Sequence, residues 1–143
     1  DGFRATGNFY YGQYLYVEDL IMVGGELRHT IGSWFIECEY VSRKYTDTLS
    51  VRQKEDGFYI HSYYNFIPES KMIYMVTPTA RYDFTGNSIF ESRIDVSRIT
   101  LGLNVGFDTR QFYSEIRFNY ENYFKGFLPI HTDKLTLEFI ARF

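Results

Sequence analysis

The segment Ile99-Thr-Leu-Gly-Leu-Asn-Val-Gly-Phe107 alternates apolar residues with polar or small ones at every step. Successive side chains of a β-strand point to opposite faces, so this alternation predicts a strand with one apolar and one polar face. A similar alternation runs from Phe112 to Tyr120 and from Leu135 to Phe143. These three segments predict neighbouring antiparallel strands of one sheet.

The same period of two extends outward over the rest of the chain, which contains 14 Tyr and 14 Phe. Aromatic and β-branched residues favour strands, so the chain is predicted to be all-β. Eight strands are predicted, at about 2–12, 20–29, 33–43, 57–67, 72–84, 97–107, 111–123 and 134–143. Pro78 lies inside the fifth of them and predicts a bulge or locally weak pairing, because proline donates no ladder hydrogen bond.

Length and composition exclude several classes of protein. The 143 residues predict a single unit over 1–143. Cys38 is the one cysteine, which excludes an intrachain disulfide, and no His or Cys pair has metal-ligand spacing. The net charge of −3 argues against nucleic-acid binding. The first residues form no cleavable signal, so the chain is expected to be mature, a fragment or never exported. No cofactor is predicted.

The predicted connections alternate in length. Short ones are expected around 30–32, 68–71 and 108–110, and longer ones around 13–19, 44–56, 85–96 and 124–133. Alternate connections of an up-and-down sheet lie at the same end, and outer-membrane barrels carry tight turns at one end and loops at the other. The strand length of about 10 residues also suits a tilted crossing of a bilayer. The fold prediction is an antiparallel up-and-down transmembrane β-barrel.

One hairpin register is predicted from both faces of the sixth and seventh strands. Placing Phe107 opposite Phe112 also places Leu103 opposite Ile116 on the apolar face. On the polar face it sets Arg98 opposite Glu121. Such agreement between the faces is expected of a native register.

The polar face is predicted to line a pore, and the apolar face to meet lipid. Aromatic residues near strand ends favour this orientation over a soluble β-sandwich or lipocalin-like barrel. Seven acids face the same way as six arginines, so most arginines are expected to be ion-paired. The predicted pore-lining residues are Arg4, Glu26, Arg28, Glu37, Glu39, Arg81, Asp83, Arg98, Glu115, Arg117, Glu121, Glu138 and Arg142.

The last segment, Leu135-Thr-Leu-Glu-Phe-Ile-Ala-Arg-Phe143, resembles the terminal strand of Gram-negative outer-membrane proteins. In those proteins a final phenylalanine after alternating apolar residues addresses the barrel-assembly machinery. The resemblance implies that Phe139 and Phe143 form an assembly signal. It also implies a location in the cell outer membrane, in contact with outer-membrane lipid and lipopolysaccharide.

A second resemblance covers about residues 24–143 and is patchy. The stretch Gly25-Glu-Leu-Arg-His-Thr-Ile-Gly-Ser-Trp-Phe-Ile-Glu-Cys-Glu-Tyr40 resembles a hairpin of phosphate-selective-type porins. Gly57–Phe66, Ala80–Asp83 and Ile99–Asn104 are similar to the segments that follow it in that family. The resemblance implies the C-terminal half of a sixteen-stranded barrel, commonly a homotrimer, that passes small hydrophilic solutes including anions such as phosphate. The balance of acids and arginines favours general diffusion instead.

One alternative to an open pore remains at this point. Eight strands closed on themselves would form a barrel filled by its own side chains, with a structural or adhesive role for its outer loops, such as 44–56. An enzyme is not predicted, because His61 and Ser62 are adjacent in a strand and point to opposite faces.

Overall fold

The computed structural model describes residues 1–14, 17–46, 52–86, 96–109, 112–125 and 128–142, and eight strands account for nearly all of them. The strands are β1 (Gly2–Tyr14), β2 (Val17–Ile31), β3 (Trp34–Thr46), β4 (Arg52–Tyr64), β5 (Ile73–Gly86), β6 (Val96–Thr109), β7 (Phe112–Lys125) and β8 (Leu128–Arg142). The all-β prediction and all eight predicted strands are confirmed.

The strands form one sheet in the order in which they occur in the chain. Each strand pairs antiparallel with the next, from β1 to β8. The molecule is therefore an antiparallel up-and-down sheet, as predicted. The sheet is open, with β1 and β8 as its two edges. The alternative in which these eight strands close on themselves is not met by this structure.

The predicted alternation of loop lengths is wrong. Strands β1 and β2 are separated by residues 15–16 and strands β7 and β8 by residues 126–127, where long loops were expected. The connection from β4 to β5 spans residues 65–72 and is longer than predicted. The prediction ended each strand where its apolar alternation ended. A backbone ladder needs no apolar side chain, so pairs such as Lys44 with Lys54 extend the strands further.

The predicted register between β6 and β7 is wrong by two residues. Phe107 lies opposite Ser114, and Leu103 lies opposite Phe118. The turn between the strands holds two residues, 110–111, because Thr109 pairs with Phe112. Two-residue connections are the commonest in hairpins, and the predicted register also closes with one, at residues 109–110, one position earlier in the chain. A shift of two residues keeps every side chain on its predicted face.

Pro78 lies in register opposite Leu103 of β6, so no bulge forms there. On the other edge of β5, pairing with β4 extends as far as Tyr63 opposite Thr79. An isolated bridge follows between Phe66 and Val76. The predicted weak pairing at Pro78 is thus confirmed toward β4. The irregularity of β5 lies between Ile73 and Met75.

The two faces of the sheet differ sharply in polarity and exposure. The apolar face carries large side chains that are open to their surroundings, including Phe9 and Leu137, each 73% exposed, and Phe139, 67% exposed. Among the described residues, Phe84 is the one buried hydrophobic side chain. No second layer of described residues covers the apolar face. The sheet therefore has no hydrophobic core of the kind that supports a soluble domain.

Disulfide trapping tests the observed register of β6 and β7. In a Cys38→Ser background, Leu103→Cys combined with Phe118→Cys should oxidise readily, because directly opposite residues lie about 4.5–5.5 Å apart at Cα. The matched pair Leu103→Cys with Ile116→Cys tests the register predicted from sequence. It should stay largely reduced, because diagonal neighbours lie about 7–8 Å apart. Preferential crosslinking of the second pair, seen as a mobility shift on a non-reducing gel, would contradict the structure.

Candidate pore-lining surface

The register brings most of the charged side chains of the polar face into two adjacent rows that cross the sheet. In one row, Arg28 lies opposite Glu37, and His61 lies opposite Arg81. In the next row, Tyr59 lies opposite Asp83. These rows form a surface that we name the charged belt. Its members are Glu26, Arg28, Glu37, Glu39, Tyr59, Arg81, Asp83, Arg98, Glu121, Tyr123 and Lys134.

On β2 to β5 the belt is held by contacts between neighbouring strands. Arg28 contacts Glu26 on its own strand, and its Nε lies 2.7 Å from Oε2 of Glu37. The Tyr59 hydroxyl donates a hydrogen bond to Glu37. The guanidinium of Arg81 lies over the Tyr59 ring, 4.2 Å from its centroid, which is a cation–π arrangement. Tyr59 therefore connects an acid on one side with an arginine on the other.

On β5 to β8 the contacts continue as ion pairs. Asp83 lies between two arginines: its Oδ1 is 2.6 Å from Nη2 of Arg81, and its Oδ2 is 3.2 Å from Nη2 of Arg98. Arg98 Nη1 then lies 3.4 Å from Oε2 of Glu121. Lys134 Nζ lies 3.7 Å from the other carboxylate oxygen of Glu121. Side-chain contacts thus run without a break from β2 to β8.

A second polar cluster lies on the same face of β5 and β7. Arg117 Nε donates to Oε1 of Glu115 at 2.8 Å, and the Tyr113 hydroxyl donates to the other oxygen of Glu115 at 3.2 Å. The Tyr74 hydroxyl donates to that of Tyr113. Glu115 is buried by these neighbours, with 7% of its surface exposed. A buried carboxylate needs such partners, because isolated burial of a charge is costly.

The expectation that most arginines are ion-paired is confirmed for Arg28, Arg81, Arg98 and Arg117. Arg98 contacts Glu121 as predicted. The two residues are diagonal neighbours, because Tyr123 lies directly opposite Arg98.

The remaining predicted pore-lining residues make fewer contacts. Arg4, Glu39 and Glu138 lie on the polar face, and none of them has an ion pair with another described residue. Arg4 and Glu138 are on the edge strands β1 and β8. The backbone of Arg142 pairs with Tyr113, but its side chain lies outside what the structure describes, as does Phe143. Phe139, the other residue of the predicted assembly signal, is exposed on the apolar face.

Three members of the belt were missed by sequence reasoning, namely Tyr59, Tyr123 and Lys134. Each occupies a polar-face position of its strand, which the period of two does reveal. The hydroxyl of tyrosine suits a polar face, because it donates and accepts hydrogen bonds. The Tyr123 hydroxyl donates to Glu121 at 2.5 Å. For Tyr59 the missing signal was the register, since its carboxylate partner Glu37 lies on the neighbouring strand.

Two hollows lie along the belt. One, of about 300 Å³, is lined by both arginines and acids, among them Arg81, Arg98, Arg117 and Glu121. The other, of about 400 Å³, lies where the belt meets small residues such as Gly57 and Thr85. The walls of the first hollow offer hydrogen-bond donors and acceptors together. Such a surface replaces part of the hydration of a small polar solute without strongly preferring one sign of charge.

Among the described side chains, His61 and Ser62 do not come together. His61 lies on the polar face, where its Nε2 is 2.7 Å from Oγ1 of Thr79, whereas Ser62 lies on the opposite face, opposite Ala80. The predicted separation of this pair is confirmed. No group of three or more His, Cys, Asp or Glu residues in the described ranges is arranged to hold a metal ion.

Comparison of the chain with family models, curated protein sequences and solved structures yields no match. Within the described residues, no helix is long and apolar enough to cross a membrane.

Removal of the central carboxylate tests whether the belt stabilises the sheet. The substitution Asp83→Asn leaves Arg81 and Arg98 adjacent without their shared anion, so the free energy of unfolding should fall by about 1.5 kcal/mol. The matched control Glu138→Gln removes an acid without an ion pair on the same face, and its effect should stay within about 0.5 kcal/mol. Both values come from urea unfolding followed by circular dichroism. Equal effects of the two substitutions would show that the belt contacts add nothing to the free energy of unfolding.

Proposed function

We propose that this chain forms part of the wall of an outer-membrane pore, in which the charged belt faces the aqueous channel and the apolar face contacts lipid. One observation carries the proposal: large apolar side chains are exposed across one face of the sheet, while charged side chains are paired across the other. This arrangement of polarity is that of a membrane barrel, whose interior is polar and whose exterior is apolar.

The soluble alternatives require that protein cover the apolar face. A β-sandwich buries that face against a second sheet, and a lipocalin-like barrel buries it inside. The structure describes a single sheet with one buried hydrophobic side chain among the described residues. Exposed apolar surface of this extent marks a membrane or interaction surface. A lipid environment satisfies it without a second protein layer.

Aromatic side chains near the strand ends support a lipid environment. Trp34 and Tyr64 lie on the apolar face at the end where β3 follows its tight turn, with ring centroids 5.0 Å apart. Phe3 packs edge-on against His29 near the same end. Amphipathic rings favour the boundary between hydrocarbon and water. Their placement agrees with a membrane boundary at this end of the sheet.

The open edges decide what kind of barrel is proposed. Unpaired backbone groups of β1 and β8 are not tolerated in hydrocarbon, where no water is available to bond them. We therefore infer that further strands pair with both edges, so that this sheet is one sector of a wider barrel. That inference agrees with the resemblance to half of a sixteen-stranded porin. A wider barrel also leaves room for a channel beside the belt.

The proposed activity is passive diffusion of small hydrophilic solutes, without catalysis. Charges of both signs alternate along the belt, so strong selectivity for phosphate-like anions is not proposed. The proposal includes recognition of β8 by the barrel-assembly machinery, for which exposed Phe139 is the described candidate contact.

Arginine substitution on either face tests which one meets lipid. Leu103→Arg places a charge on the apolar face and should cost roughly 2–4 kcal/mol at mid-membrane, so the fraction that inserts into vesicles should drop. The matched control Asn104→Arg changes the next residue, which lies on the same face as the belt, and this variant should insert normally. Phe139→Arg should behave like Leu103→Arg. Normal insertion of the Leu103 variant together with failure of the Asn104 variant would reverse the face assignment.

Ion selectivity tests the proposed channel. Reversal potentials of the assembled barrel in planar bilayers under a salt gradient should indicate a cation-to-anion permeability ratio near one, because the belt pairs its charges. Asp83→Asn should shift that ratio toward anions, since it removes one acid from between two arginines. A strong anion preference of the unmodified chain would show that the arginines act as free anion sites.

A further inference from the structure

The apolar face changes character at one corner, on β3 and β4. The row that begins with Tyr11 and Ile21 continues directly into Lys44 and Lys54. One row further out, Thr46 lies opposite Arg52. Three cations therefore share the face that elsewhere carries phenylalanine, leucine and isoleucine. We name Lys44, Arg52 and Lys54 the basic corner.

Among the described side chains, the basic corner keeps a net positive charge. Lys54 Nζ lies 3.3 Å from Oδ2 of Asp56, which is 1% exposed and sits one row closer to the apolar part of the face. Lys44 and Arg52 are both exposed. On the opposite face of the same strands, by contrast, Arg43 donates to Glu55 at 2.7 Å. At this level of the sheet, Arg43 on the polar face is paired with an acid, whereas Lys44 and Arg52 on the apolar face are exposed.

A hollow of about 350 Å³ lies at this corner. Its lining includes the three cations together with Ile21 and Thr46. Ile21 is 39% exposed, and Val23 and Phe9 continue the apolar surface below it. An occupant that fits the hollow and this surface together has an anionic head and an apolar tail.

We propose that the basic corner binds the phosphate-bearing headgroup of a membrane lipid, with the lipid's acyl chains lying along Ile21, Val23 and Phe9. This inference rests on the proposed function, because it requires that the apolar face meet lipid. Cations just outside an apolar band attract anionic headgroups, and phosphate oxygens accept charge-assisted hydrogen bonds from lysine and arginine. The corner lies at the end of the sheet that carries the connection 47–51, away from the start of β1.

A tryptophan reporter placed in the hollow measures binding at this one corner. The chain contains a single tryptophan, so Trp34→Phe combined with Ile21→Trp moves the only indole to the hollow. The reporter protein is reconstituted in vesicles of phosphatidylcholine and phosphatidylglycerol, with bromine on the acyl chains of one lipid or the other. Quenching by each brominated lipid gives their relative binding at position 21. The expected result is a clear preference for phosphatidylglycerol.

Charge removal assigns that preference to the corner. Lys44→Gln with Arg52→Gln, in the reporter background, leaves the contact between Lys54 and Asp56 in place. The preference should fall by roughly 30-fold, which corresponds to about 1 kcal/mol for each cation near the membrane surface. The matched control Arg4→Gln with Lys134→Gln removes two cations from the polar face and should retain the preference. Circular dichroism of each variant in the same vesicles verifies the β-sheet.

Each outcome separates this inference from the proposed function. In the unmodified chain, Trp34 lies on the apolar face, and quenching of its fluorescence by either brominated lipid tests the proposed function alone. If Trp34 is quenched but the reporter shows no preference, or the same preference after the corner is neutralised, the inference is overturned and the proposed function stands. Absence of acyl-chain quenching at Trp34 and at the reporter overturns both. Displacement of phosphatidylglycerol by inorganic phosphate would show a site for free phosphate and would also overturn the lipid assignment.

Discussion

A single β-sheet has two faces and no interior, and this constraint governs the rest of the molecule. Every side chain must find its partners on its own face or in whatever lies beyond that face. The polar face meets the requirement internally. Asp83 contacts Arg81 on its own strand and Arg98 on the next, and Glu121 contacts cations on both neighbouring strands. The apolar face does not, since side chains such as Phe9 and Leu137 remain exposed. The apolar face therefore determines what environment the sheet needs.

The charged belt shows how such a face is stabilised without a core. Its contacts link strands that are neighbours in space, so it reinforces a ladder already held by backbone hydrogen bonds. Tyr59 joins Glu37 to Arg81 through a hydroxyl and a ring face, where a direct ion pair is absent. In the proposed pore, pairing of this kind would also limit the field at a passing ion, because each arginine is partly neutralised by its acid. Stability of the wall and weak selectivity would then follow from the same contacts.

Sequence reasoning failed wherever the answer depended on two segments at once. The β6–β7 register was off by two residues because both registers keep Leu103 and Phe118 on the apolar face, and only the pairing between the two strands distinguishes them. The prediction ended β3 too early and began β4 too late, because Lys44, Arg52 and Lys54 interrupt the apolar pattern while their backbones remain paired. The openness of the sheet was not predictable either, since alternation within β1 and β8 is the same whether or not their edges meet.

The sequence by itself determined the eight strands, their antiparallel order and the face of nearly every side chain. It did so because a period of two is a local property of the chain and each strand displays it alone. Only the tertiary structure decided which residues meet across the strands: that Asp83 lies between Arg81 and Arg98, that Tyr59 reaches Glu37, and that three cations gather at one corner of the apolar face. These contacts depend on register, and register is set by turn length and pairing between distant segments, which the alternation within one strand does not encode.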